Sequence, residues 1–145
     1  MTTADITWQD VVAAPFGHIF VDVEGENGTF FVVLRGPKSL CAYLSAPVEH
    51  PLEGVPYQDI DGVIPVHGGF THSGTLEHFP AIKEQRHWFG WDYAHGGDRS
   101  VSDAYGPIPA STYETSWTPS MVVDDSWSAR YAFDQLVKLM SRCKA

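Results

Sequence analysis

Cysteine is scarce in this chain: 145 residues hold only Cys41 and Cys143. The two lie far apart and form no CxxC, which excludes a disulfide scaffold or a cysteine zinc cluster as the basis of the fold. Long apolar runs are also lacking. None nears the roughly 18–20 residues that a membrane span requires. Residues Met1–Ile6 have neither the basic start nor the apolar stretch of a secretory signal. The expectation is a soluble, cytoplasmic protein with no membrane partner. Positive charge is the third scarcity, nine Lys and Arg against 18 Asp and Glu. The deficit is concentrated, because residues 1–79 carry ten acids and two bases while residues 80–145 carry eight acids and seven bases. An acidic half of that size repels phosphate backbones, which excludes duplex nucleic acid as a partner. It keeps the protein in solution, or it docks on a basic host protein, with Glu49, Glu53, Asp59 and Asp61 as the contacts to test.

Apolar side chains make up 43% of the residues and aromatics 13%, enough for a packed core and too much for a disordered chain. The length fits a single domain over 1–145. Ile19, Val21 and Val23 alternate with Asp22 and Glu24, and Thr29–Arg35 follows after Gly25–Gly28, which predicts a β-hairpin turning at Asn27-Gly28. Leu40–Leu44 predicts a third strand, Gly62–Val66 with Phe70–His72 a strand pair or bent strand, and His87–Asp92 a further strand. Gly90 inside that last strand marks a bulge or a close backbone approach. Residues 46–61 read as loop, and 93–122 as a long irregular loop of the kind that closes over a site. A C-terminal helix capped at Asp125 or Ser126 follows, with Ala129, Ala132, Phe133, Leu136, Met140 and Cys143 on one face. The fold class is α+β: a mainly antiparallel β-sheet, a C-terminal packing helix and a long irregular loop.

Histidine is the anomaly. Six of the seven lie between residues 50 and 95, several beside glycines, as in His67-Gly68-Gly69 and His95-Gly96-Gly97. Three chemistries can use them. His67, Asp92, His95 and Asp98 form a candidate metal set: imidazole and carboxylate suit zinc, manganese or iron, and a position left for water makes a metal-assisted hydrolase. No HExxH or other standard zinc signature accompanies them. Without a metal, His67 or His95 oriented by Asp92 is a candidate general base, with Thr71 or Ser73 as nearby hydroxyls. Finally, Trp88, Trp91, Tyr93, Tyr105, Tyr113 and Trp117, with Arg35, Arg86, Arg99 and His95, supply flat faces and cations for a nucleotide-like ligand. Set against all three, strand tryptophans are core residues by default, and Asp and His in loops ordinarily satisfy backbone groups.

Three segments occur in order: His50-Pro-Leu-Glu-Gly54, Val66-His-Gly-Gly-Phe-Thr-His-Ser-Gly74 and Trp88-Phe-Gly-Trp-Asp-Tyr-Ala-His-Gly-Gly-Asp98. Together they resemble a family of small proteins encoded in bacteriophages, prophages and bacteria, with HPLxG, HGG[LF]TxSG and WWxG[FW]DxxH segments followed by a helix. Phe89 stands where that family often has Trp. The resemblance implies a phage-type accessory protein in the cytoplasm of a bacterial host, and it favours His50, His67, Thr71, Asp92 and His95 as site residues. With Trp88 and Trp91 added, these residues compose the expected ligand pocket. A small polar, nucleotide-like ligand would be sequestered there to counter host defence. The alternatives are the metal-assisted hydrolase and an acidic protein-binding inhibitor without a chemical site.

Overall fold

The computed structural model describes residues 6, 8–37, 39–82, 86–93 and 119–142. A short helix α1 (Trp8–Ala13) precedes strands β1 (Ile19–Glu24), β2 (Phe30–Arg35), β3 (Leu40–Ser45), β4 (His72–Gly74) and β5 (Trp88–Asp92), and helix α2 (Pro119–Arg142) ends the described chain. The five strands form one sheet in the order β1-β2-β3-β5-β4, with every pairing antiparallel. This is the expected α+β arrangement.

The hairpin turns where its sequence says it should. Asn27 sits at φ 62°, a left-handed conformation that Asn tolerates better than most side chains. The turn is fastened to α2, because the Thr29 hydroxyl donates to the Asp134 carboxylate. The alternation in β1 is not the simple one expected. The register to β2 slips between Ile19 and Val21, a bulge at Phe20. One extra residue reverses the pleat, so Ile19 packs with Val32 and Leu34 on one face while Phe20, Val21 and Val23 pack on the other.

All six residues of β3 are buried. It is the middle strand and both of its faces are covered, so its sequence shows no polar alternation. One face (Phe31, Val33, Ala42, Leu44, Phe89, Trp91) packs against α2 through Val122, Ala129, Phe133 and Val137. The other (Val32, Leu34, Cys41, Tyr43, Trp88) is covered by Leu76, Phe79 and Ile82 from the connection between β4 and β5. Gly90 is explained by close approach, with no bulge: it pairs with Tyr43, whose ring lies where a side chain would start.

Three local expectations shift. Residues 62–63 form a turn closed by an isolated bridge between Asp61 and Ile64, residues 65–66 are irregular, and the strand begins only at His72. Pro65 within that stretch cannot donate to a ladder, which explains the failure. Helix α2 starts at Pro119, ahead of Asp125, consistent with the preference of proline for a first helical turn. Its buried stripe runs Val122, Ser126, Ala129, Phe133, Val137, so Ser126 lies inside the helix, its hydroxyl donating to the Val122 carbonyl at 2.6 Å. Of the irregular stretch expected over 93–122, residues 94–118 lie outside the described residues.

Candidate functional site

The site residues expected from the sequence are distributed over several parts of the fold. Strand pleating separates the tryptophans: Trp88 is 3% exposed on the face of Tyr43, and Trp91 is 1% exposed on the face of α2. Three residues apart on a strand means opposite faces, so the two do not share a pocket. Thr71 is exposed, and its backbone N–H donates to the Gly90 carbonyl at 2.9 Å. Asp92 pairs with Cys41 at the end of β5 and follows the pleat to the Cys41 face. Its carboxylate is near enough to help burial push the Cys41 thiol up to about 12.

His50 is buried, and its partners settle its tautomer. Nδ1 accepts from the Leu52 N–H at 3.1 Å, so Nε2 carries the proton and donates to the Val137 carbonyl at 3.0 Å. Both nitrogens are engaged, and the ring braces the 46–56 loop against α2. His87 acts similarly, with Nε2 2.6 Å from the Val55 carbonyl.

His67 is different. Its half-buried ring lies flat on Tyr93, with centroids 5.2 Å apart and planes within 1° of parallel. Tyr93 continues β5 by one residue, its N–H donating to the Leu40 carbonyl, and points to the α2 face. Its phenol is held on two sides. The Trp91 indole N–H donates to it at 3.1 Å, and it donates to the Asp125 carboxylate at 2.6 Å. Burial, and then the Asp125 carboxylate, push the Tyr93 phenol far above its ordinary value, so it stays neutral and serves as a fixed platform.

The loop carrying His67 turns on two consecutive glycines in left-handed conformations, Gly68 at φ 71° and Gly69 at φ 83°. Side chains other than glycine are strained there, which explains the His-Gly-Gly sequence. The Asp61 carboxylate abuts Gly69 and accepts the Phe70 N–H at 3.2 Å, fixing the far side of the turn. The arrangement is an imidazole on a buried aromatic base that Trp91 and Asp125 hold, in a turn that Asp61 fixes.

Among the described residues, no three His, Cys, Asp or Glu side chains gather as a metal-binding group. His95 and Asp98, the other half of the expected metal set, lie outside the described residues. The Trp91–Tyr93–Asp125 chain was not legible as a unit. Its only sequence signal is the alternation Trp91, Tyr93 on a strand, and Asp125 reads from sequence as a helix cap. Comparison with protein-family models, with curated proteins and with solved structures finds no match to this chain.

Proposed function

We propose that this protein binds a small polar ligand with a flat, base-like ring at the His67 loop, and acts by holding that ligand. The observation that carries the reading is the stacked His67–Tyr93 pair, whose lower ring is pinned by Trp91 and Asp125. A stacking platform costs little entropy when its support is already rigid. An imidazole face accepts any planar base, and the exposed Gly68 beside it has no Cβ to hinder a polar group. The Tyr93 phenol, neutral and held between Trp91 and Asp125, is poorly suited to nucleophilic or base chemistry, which favours holding over turnover. Held without turnover, a ligand is withdrawn from solution. In a phage-type protein, that would lower the concentration of a nucleotide-like signal that the infected bacterium uses in defence.

The test is thermal stabilisation by a panel of nucleosides, mononucleotides and cyclic nucleotides. A ligand at about 100 times its Kd adds roughly 2.7 kcal/mol, an easily measured rise in Tm. We expect one class to stabilise the wild type and His67→Ala to lose that effect while keeping its own unliganded Tm within a few degrees. No stabilisation across the panel, or equal stabilisation of His67→Ala, refutes the proposal. Stoichiometric zinc or manganese in the purified protein, lost in both His67→Ala and His95→Ala, would replace it with the hydrolase.

A further inference from the structure

Among the described residues, strand β1 is an edge of the sheet, with β2 on one side and no strand on the other. The Gly25 N–H donates to the Thr29 carbonyl at 2.7 Å, and antiparallel ladders alternate bonded and non-bonded pairs from that point. In the observed register, Val23–Phe31 and Val21–Val33 are bonded pairs, so the backbone groups of Asp22 and Glu24 point away from the sheet. Both side chains are exposed.

A cavity flanks this edge on each face. One of about 410 Å³ lies between α1 and β1, lined by Ile6, Ala13 and Phe20 with Asp10 among its walls. One of about 280 Å³ lies on the other face, lined by Val32, Ile82 and Trp88 with Asp22 among its walls. Ile19 borders both, because the bulge at Phe20 turns it to the face opposite its neighbours. Edge strands ordinarily carry charges and bulges to repel stray strands. Protection of that kind has no need of a recess on either side.

We propose that the β1 edge is a docking site for an extended basic segment of a partner protein, which adds as a further antiparallel strand. Main-chain hydrogen bonds to Asp22 and Glu24 supply affinity, and alternate side chains read the two faces. Guest residues opposite Asp22 and Glu24 fall on their face, where Lys or Arg pairs with the carboxylates and lays its stem into the smaller cavity. The intervening residues fall beside Val21 and Val23, where apolar side chains fit. The recognised pattern is therefore basic-apolar-basic. A second copy of this chain is disfavoured as the occupant. Antiparallel pairing of β1 with itself sets Asp22 against Asp22 or against Glu24, and like charges directly opposite destabilise a sheet. The docking site shares no residue with the His67 loop, so either proposal stands if the other fails.

Fluorescence anisotropy with a seven-residue, end-blocked peptide alternating lysine and valine tests the idea. We expect saturable binding that weakens about tenfold or more when the peptide is N-methylated at alternate residues, since each lost main-chain bond matters. An isomer with its lysines and valines in separate blocks should weaken similarly despite equal charge. Asp22→Lys with Glu24→Lys should lose the lysine peptide and gain the glutamate-valine one. No binding of the alternating peptide, or equal binding of the methylated and block peptides, overturns the proposal. So does a homodimer in sedimentation that the double Lys variant dissociates.

Discussion

Gly90→Ala places a methyl group into the most crowded described point of the sheet. The new Cβ would lie 2.3 Å from both Cδ1 and Cε1 of Tyr43 and 3.3 Å from the Ala42 carbonyl oxygen. Ordinary carbon contacts need about 3.5–4.0 Å, so the ring must retreat by more than 1 Å. It has little room, since Phe79 and His72 stand edge-on to it at centroid distances of 5.8 Å each. Overpacking a filled site costs about 1–3 kcal/mol, and the upper end is expected because backbone and ring are both fixed. For a chain of this size, 3 kcal/mol lowers Tm by roughly 6–12 °C. The cost should shrink when the obstacle is removed. Tyr43→Ala alone should lose about 3–5 kcal/mol through the cavity it leaves, but Gly90→Ala added to it should cost little more. Urea denaturation of the two single variants and the double variant measures this coupling. A coupling of about 1–3 kcal/mol is expected, and additivity within about 0.5 kcal/mol would show that ring and glycine are independent and the reasoning wrong.

Other residues give separate tests. Cys41 is buried and its thiol pushed from 9.0 up to about 12, so at pH 8 its thiolate is about a thousandfold rarer than in an unperturbed cysteine. In a Cys143→Ser background, a thiol reagent should label the native protein slower than the urea-unfolded one by a factor of that order, and equal rates would contradict the burial. His50→Ala leaves the buried Leu52 N–H without its partner and takes one donor from the Val137 carbonyl, which keeps the Ser141 hydroxyl, and should cost about 1–3 kcal/mol in chemical denaturation. It should leave nucleotide stabilisation intact, whereas loss of ligand at unchanged stability would return His50 to the binding site. Burial holds the His72 imidazole below its ordinary 6.5, with His78 and His87 adding smaller repulsions. The unfolded chain therefore takes up the proton more readily, and stability attached to His72 is lost as pH falls below about 6.5. Denaturation midpoints measured from pH 7.5 to 5 should fall less steeply for His72→Gln than for wild type, and parallel curves would count against that assignment.

How much of this could be read in advance follows from where each signal is local. Asn27-Gly28 with flanking apolar runs specifies a hairpin by backbone sterics alone, and the strands found there start one residue after those expected and end where expected. Pleating also makes the separation of Trp88 from Trp91 a local matter, and an expectation of a shared aromatic pocket overlooks it. Local signals fail where tertiary contacts decide. The bulge at Phe20 depends on register against β2, and nothing in Ile19–Glu24 distinguishes it from a regular strand. Helix α1 has six residues, too few for a periodic pattern to emerge. The early start of α2 was hidden because Pro119 reads equally as loop or as first helical turn. In the candidate site, His-Gly-Gly was legible as a turn, while the carboxylate that holds Tyr93, Asp125, comes from a helix 32 residues downstream.

The excess of histidine, which drew attention to residues 50–95, has a physical explanation that divides the group. Between Ala46 and Thr71 the chain has no ladder to satisfy its backbone, yet parts of it are buried beneath α2 and beside β5. Buried carbonyls need donors. Within that stretch the Val55 carbonyl lies 2.6 Å from the His87 ring, while His50 accepts the Leu52 N–H and ties the loop to the Val137 carbonyl of α2; farther on, the His72 ring stands 3.2 Å from the Thr75 carbonyl. An imidazole suits this because it can donate and accept at once and still present an apolar face for packing, as His87 does against Phe89 and His78 against Phe79. Fastening loops thus accounts for His50 and His87, and for much of His72. His67 adds a ring-on-ring contact, on a tyrosine that other residues already hold in place. His67→Leu, which keeps a cover over that ring and removes the nitrogens, is the substitution that separates binding from folding: it should retain the wild-type Tm within a few degrees and lose the ligand.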